Sequence, residues 1–404
     1  MRVFLAAYLA AVVILGALAV GGGLALYSRL GPDGAAEEAA SEHGYNLAGW
    51  EIKHFPEKWL HKLQHLFNDR SEQERTDAIC AYFKAAAELN STQEPNAEAE
   101  KRLAELENDV EDTIEGRVTA VLKDQKLTLE PPLFSDLGLV FPPVDFEIDG
   151  TPRVLAVSPR ERIELRNSYL LEPDIPQPEI DQIEHNAESA NVDGRGVSAL
   201  VIRTGGFSSY PSVVFEDTPY DSLMETVFHE WLHSYLIFFP LGAGYFGSSE
   251  TRTLNESVAN IGGKELARLY FERYGTLEQA CGAQPAPAAT PPPTPSGFDF
   301  TGEMRALRRE VEAMLAQGQV EQAEALMAAK RDEFQSKGIF IRRLNQAYFA
   351  FSGFYADTPG SIDPIGPKLQ SLFAQAGSPG RFIRLAEGMT TREDLDRLLA
   401  APGG

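Results

Sequence analysis

The residues with the clearest chemistry are His229-Glu230-Trp231-Leu232-His233. On an α-helix, side chains four apart lie on one face, one turn from each other, so both imidazoles reach a single metal ion. Glu230 stands beside them, placed to polarise a metal-activated water rather than to bind the ion itself. Twenty-two residues beyond His233 begins Asn255-Glu256-Ser257-Val258-Ala259-Asn260, which brings a further carboxylate. A catalytic zinc takes three protein ligands and keeps one open position, and two histidines with a glutamate are a known set. Two plainer readings stand beside this one. The histidines could be satisfied by backbone or carboxylate partners, and Thr253-x-x-Glu256 also reads as a helix capping box.

Taken together, the two motifs resemble the thermolysin-like metallopeptidases and their aminopeptidase relatives, the gluzincins. There H-E-x-x-H is followed about twenty residues later by N-E-x-x-[AS] on a second helix. The resemblance implies a zincin-like α+β fold, Zn2+ held by His229, His233 and Glu256, and Glu230 as the general base. It places Asn260, four residues after Glu256, where the family often has an aspartate that orients the first histidine. An asparagine carbonyl can accept the same ring N–H as a weaker, neutral partner. The family also uses a tyrosine or histidine to stabilise the oxyanion. No histidine follows His233, so Tyr348 and Tyr355 are the candidates, in a stretch from Asn345 that resembles the helical tail of some predicted bacterial aminopeptidases. The glycine-rich exopeptidase motif of many gluzincin aminopeptidases is absent, and Gly205-Gly206-Phe207 does not replace it. Exo- and endopeptidase action both stay open.

These residues need two helices and a strand. The first helix is expected from about Pro219 to Phe239, with Thr218 as N-cap, Pro219 at the first position, Asp221 in the first turn and Pro240 as the stop. Val227, Phe228, Trp231, Leu232, Tyr235, Leu236 and Phe238 surround the histidines, which makes it a buried helix with a polar stripe. The second is expected from about Leu254 to Tyr274, ending at Gly275. Gly262-Gly263 inside it costs helix propensity, and close approach to the first helix is the reason offered. Between them, Leu241 to Ser249, with Tyr245 and Phe246, is either a loop over the site or a simple connection. Short β-branched or alternating runs precede the helices: Val140 to Ile148, Arg153 to Val157, Ile163 to Leu171, Ala199 to Arg203 and Ser212 to Phe215. Thr204-Gly205-Gly206 reads as the turn joining the last two into a hairpin. A strand around Ser208 to Phe215 could pair with an extended substrate through its open edge, or be an ordinary core strand.

At the scale of the chain, 404 residues with 43 % hydrophobic content allow two or three folded units. Residues 1–30 read as a membrane anchor or signal segment, 31–55 as a juxtamembrane linker and 56–126 as helical. Residues 127–278 are the catalytic core, 279–299 a Pro/Ala/Thr-rich linker and 300–404 a helical region. Val3 to Tyr27 carries no charge over 25 residues, enough to span a bilayer and longer than a usual signal core. Arg2 precedes it and an acidic stretch follows, which places the body outside the cytoplasm, with secretion after cleavage as the alternative. A net charge of −23 argues against nucleic acid and anionic lipid surfaces as partners. Cys80 and Cys281 lie far apart and give no sign of pairing or of a thiolate metal site. His61 and His65 also sit four apart, but no base or further ligand accompanies them, so they read as an amphipathic helix face. His43, His54 and His185 are assigned nothing.

The expected activity is therefore zinc-dependent hydrolysis of a peptide or protein substrate by a chain tethered through its N-terminal helix. The rival from another class is a membrane-tethered binding or assembly factor on a zincin scaffold, its zinc structural or vestigial. Asn260 in place of an aspartate favours that rival, and the intact Glu230 speaks against it. A non-peptide amide substrate is a third option. The oligomeric state has no signature in the sequence.

Overall fold

The computed structural model describes residues 34–54, 58, 70–91, 96–129, 140–189, 191–192, 195–282, 298–356 and 358–401. Val3 to Tyr27, the pair His61 and His65, and residues 283–297 of the 279–299 tract lie outside them. Among the described residues no helix is long and apolar enough to cross a membrane. The architecture is α+β, with two small sheets set among helices.

One sheet has strands β1 (Phe146–Asp149), β7 (Ser212–Phe215) and β6 (Gly206–Phe207), in that order, with β1 and β7 parallel and β6 antiparallel at the edge. The other is antiparallel, in the order β3 (Asn167–Leu171), β2 (Arg153–Pro159), β5 (Arg195–Arg203) and β4 (Asn191–Val192). The expected hairpin between Ala199–Arg203 and Ser212–Phe215 is thus corrected. β5 and β7 belong to different sheets, and the hairpin is β6–β7. The cause lies in a switch point far off in sequence. Thr151 Oγ1 donates to the Thr204 carbonyl at 2.7 Å, and Thr204 Oγ1 donates to the Pro152 carbonyl at 2.8 Å. The chain passes from one sheet to the other at both places, and these two bonds hold the crossings together.

The helix Ala97–Asp124, with Val118, Val121 and Leu122 buried, lies within the region 56–126 read as helical, whereas Gln177–Ser189, set among the expected strands, is a helix the sequence reading does not include. In the latter, Ile180, Ile183 and Ala187 recur at helical spacing and pack into the apolar cluster around Leu155, Val201 and Leu171. Buried Lys58 ties the Ala97–Asp124 helix to β1, donating to Glu111 and Glu147 at 2.9 Å each. Burial alone would lower its pKa, but the carboxylates of Glu111, Glu115, Glu147 and Asp145 raise it well above the ordinary lysine value.

The two site helices match expectation in place and differ at their ends. The first spans Tyr220–Leu236 with Pro219 itself at the N-cap and no side-chain cap, so Thr218 does not cap it. It ends before Pro240, which instead opens the short helix Pro240–Ala243, where a missing N–H costs nothing. The second spans Ser249–Tyr274, five residues longer at its start, with Ser248 accepting from the Thr251 N–H at 3.0 Å. Thr253 donates to the Ser249 carbonyl inside the helix, so the capping-box reading of Glu256 falls away. Gly275 closes it with a φ of +81°, a conformation that favours glycine.

The glycine pair does what its position suggests. A Cβ on Gly263 would stand 3.1 Å from both the Glu225 carbonyl oxygen and the His229 nitrogen, and one on Gly262 would stand 3.0 Å from Leu232 Cδ1. The helices therefore meet backbone to backbone beside His229. Around that contact lies the largest apolar core, where Phe228, Leu232, Val258 and Tyr270 join Val118 and the C-terminal residues Leu369, Phe382 and Ile383. Tyr220 and Tyr270 share a hydroxyl hydrogen bond of 2.9 Å within it.

Beyond the linker, Phe300–Ala316 and Val320–Ser336 form two helices turning at Gly318, whose φ is +75°. The helix that carries Tyr348 spans only Gln346–Ser352, because Asn345 caps it there by accepting from the Tyr348 N–H. Three short helices, Ile365–Ala376, Pro379–Ala386 and Arg392–Ala400, finish the fold. Cys80 and Cys281, whose pairing the sequence does not signal, form a disulfide across 201 residues. It joins the helix Glu72–Ser91 to the short helix Leu277–Cys281, which follows the Glu256 helix directly.

Candidate metal centre

The close helix pair brings three ligand atoms to one point. His229 Nε2 and His233 Nε2 lie 3.0 Å apart, and Glu256 Oε2 lies 3.5 Å from the first and 3.4 Å from the second. Ligands about 2.05 Å from a tetrahedral zinc ion stand ~3.3 Å from one another, so this spacing fits the ion. All three side chains are mostly buried. Glu256 Oε2 is buried with no hydrogen-bond partner, although such an atom normally has one. It faces the two imidazoles, as a carboxylate does where a cation completes the set.

Two neighbours orient the ligands. Asn255 Oδ1 accepts from His233 Nδ1 at 2.8 Å, while Asn255 Nδ2 donates to the Leu241 carbonyl at 3.2 Å. With its amide fixed by Leu241, Asn255 holds the proton on Nδ1 and leaves the Nε2 lone pair toward the site. Tyr245 donates its hydroxyl to Glu256 Oε1, which leaves Oε2 as the ligand oxygen. Burial opposes ionisation of Glu256, yet the imidazoles of His233 and His229 hold its carboxyl well below the usual range. Burial would lower the His233 pKa too, but the Glu256 charge dominates and pushes it up to about 9 in the metal-free pocket.

Glu230 lies beside the cluster, buried, with its pKa raised by burial and by Glu256 and partly restored by the two histidines. Edge strand β6 runs against it. A Cβ on Gly206 would fall 2.5 Å from Glu230 Oε1, so only glycine lets the strand come this near. Together these groups border a cavity of about 240 Å3, which Phe207, Tyr245 and Tyr355 also line.

The expected site residues divide as follows. His229, His233, Glu256 and Glu230 come together. Tyr355 lines the cavity with its ring 6.3 Å from that of His229. Tyr348 is not among the lining residues and packs instead near Ala156, Leu200 and Ala347. Asn260 sits partly buried, one turn past Glu256 on the same helix. Sequence reasoning gave no role to Asn255 or Tyr245. The first is a letter of the motif itself, and the second is the tyrosine of the loop between the helices. Gly206 has no sequence signal, because its constraint is a contact with Glu230. In comparisons with known proteins, no family model, no curated protein and no solved structure matches the chain.

Proposed function

We propose that the chain is a zinc-dependent metallopeptidase of the gluzincin type, with a zincin-like core that holds Zn2+ through His229, His233 and Glu256. The observation that carries this reading is the near-tetrahedral spacing of the three ligand atoms around a buried carboxylate oxygen that has no hydrogen bond. Zinc bound there would act as a Lewis acid, making a water nucleophilic and polarising the carbonyl it attacks. Glu230, beside the ligands and raised in pKa by its burial, is the group to take the water's proton and hand it to the leaving amine. Edge strand β6, which borders the cavity, would align a peptide backbone by β-augmentation. Tyr355 and Tyr245 are the tyrosines beside the site from which an oxyanion donor would come.

The Cys80–Cys281 disulfide supports an extracytoplasmic body anchored through the N-terminal apolar segment, since such bonds persist in oxidising compartments. The test of the chemistry is Glu230→Gln. This variant is expected to keep a full complement of zinc while peptide hydrolysis falls about 10²- to 10⁴-fold. Undiminished turnover in the variant would sink the mechanism. Zinc binding with no peptide cleavage in the wild type would favour the binding-factor reading instead.

A further inference from the structure

The connection between the two site helices differs from the rest of the chain in charge. Ser234 to Ser249 holds no charged residue, in a chain where 24 % of residues are charged. Ile237, Phe238 and Phe246 of this stretch make up three of the five large apolar side chains exposed among the described residues, so exposed apolar surface concentrates here. Ile237 and Phe246 also line the cavity, which places the patch at its mouth. Phe238 extends the patch, its ring 5.6 Å from that of half-buried Phe141. Another wall of the same cavity holds the start of the described chain. Leu170 of β3 lines the cavity, and its carbonyl accepts from the Tyr45 N–H at 3.0 Å. His43 continues the pairing, its carbonyl accepting from the Glu172 N–H at 2.8 Å. Just before them, the helix Gly34–Ser41 buries Ala36 and Ala40 in the cluster of Leu171, Ile180 and Ile183.

We propose that this patch rests on a neutral lipid surface, that of the bilayer carrying the chain's own N-terminal apolar segment. Two observations point to that occupant. The first is reach. Tyr27 ends the uncharged stretch seven peptide steps before Gly34, and at about 3.5 Å a step these span no more than ~25 Å. The helix that starts at Gly34 is fastened beside the strand that walls the cavity. A chain anchored by Val3 to Tyr27 therefore holds the cavity near the bilayer. The second is chemistry. Aromatic and branched apolar side chains with no charge among them favour the headgroup boundary, where they leave water and the backbone still finds polar partners. The chain's charge of −23 repels anionic headgroups, so a zwitterionic surface is the one that fits. A second copy of the chain would bring the same negative charge against the first, which disfavours it as the occupant. The cavity mouth then faces the headgroups, where membrane-tethered polypeptide is presented to it. The inference rests on the anchored part of the proposed function and is independent of its zinc.

The full chain in nanodiscs of phosphatidylcholine tests it in two ways. Both cysteines are bridged, so Phe238→Cys takes a single nitroxide label at an exposed position outside the cavity. That label is expected to collide more readily with oxygen than with a water-soluble nickel chelate, the mark of lipid contact. The unmutated chain is also placed in discs whose phosphatidylcholine carries a photoreactive acyl chain. Lipid is expected to attach to the peptide that spans Ile237 to Phe246, in addition to the N-terminal segment, and less of it when phosphatidylserine is mixed in. A label that favours nickel, or photolabelling confined to the N-terminal segment, overturns the inference, and the wild-type photolabelling decides if the variant does not fold. Attachment that rises with phosphatidylserine overturns the neutral surface. A label shielded from both reagents, with chains paired in one disc, overturns it in favour of a second copy. A chain that does not stay in the discs overturns the anchor and the inference together. Zinc uptake and peptide cleavage without lipid contact overturn this inference alone. Lipid contact in a chain that takes no zinc supports the inference and overturns the hydrolase reading.

Discussion

Asn255 and Tyr245 show how the site is tuned one atom at a time. Each binds the far side of a ligand, so each decides which atom of His233 or Glu256 points inward. Orienting partners of this kind are typically worth 10- to 100-fold in metal affinity. Asn255→Ala is therefore expected to weaken zinc binding by about 10- to 100-fold, read by competition with a chromophoric chelator, without loss of the fold. The His233 shift adds a pH signature to the same titration. In the metal-free chain its imidazolium stabilises the fold fully below about 6.5, and that contribution is lost as pH rises through about 9. Zinc must displace this proton at neutral pH, so wild-type affinity should fall as pH falls. An unchanged affinity in Asn255→Ala would remove that residue from the account. At this scale the grouping of His229, His233 and Glu256 with Glu230 beside them was legible from the motif spacing together with the family resemblance. Tyr348 was not, because the Asn345 cap starts its helix late and the backbone then turns that side chain into the neighbouring apolar cluster.

At the scale of elements, the site depends on how close two helices can come. Gly263 has no room for a methyl group against the backbone of Glu225 and His229, and a helix has little freedom to move aside there. Gly263→Ala should destabilise the protein by about 1–3 kcal/mol in denaturant titration and weaken zinc binding with it. Loss of stability without loss of zinc affinity would mean that the helix pair does not set the ligand geometry. Both helices could be found in the sequence, because a buried face with a polar stripe and an internal Gly-Gly are local patterns. Most of the strands could be found too. Their partners could not, since the sheet switch at Thr151, Pro152 and Thr204 joins residues some fifty positions apart. The helix Gln177–Ser189 was hidden by Pro176 and Pro178, which read as strand-breaking loop but sit at a helix start, where proline is tolerated.

Across the whole molecule, one apolar core runs from the helix Glu72–Ser91 through both site helices to the C-terminal helices, so remote segments share the stability of the site. The Cys80–Cys281 disulfide fastens the first of these to the segment that follows the Glu256 helix. Nothing in the sequence near either cysteine announces the other; only the shared core brings their helices together. Cys80→Ser with Cys281→Ser is expected to lower unfolding free energy by about 2–5 kcal/mol, measured with and without reductant in the wild type. Equal stability in all three cases would show the bond to be incidental. The central claim, however, is that His229, His233 and Glu256 hold a hydrolytic zinc ion. Its most direct test is metal content of the purified chain, in wild type and Glu256→Ala, alongside hydrolysis of a mixed peptide library with and without chelator. The account predicts one zinc per chain, lost in the variant, and cleavage that the chelator abolishes. A wild-type chain that takes up no zinc would contradict it.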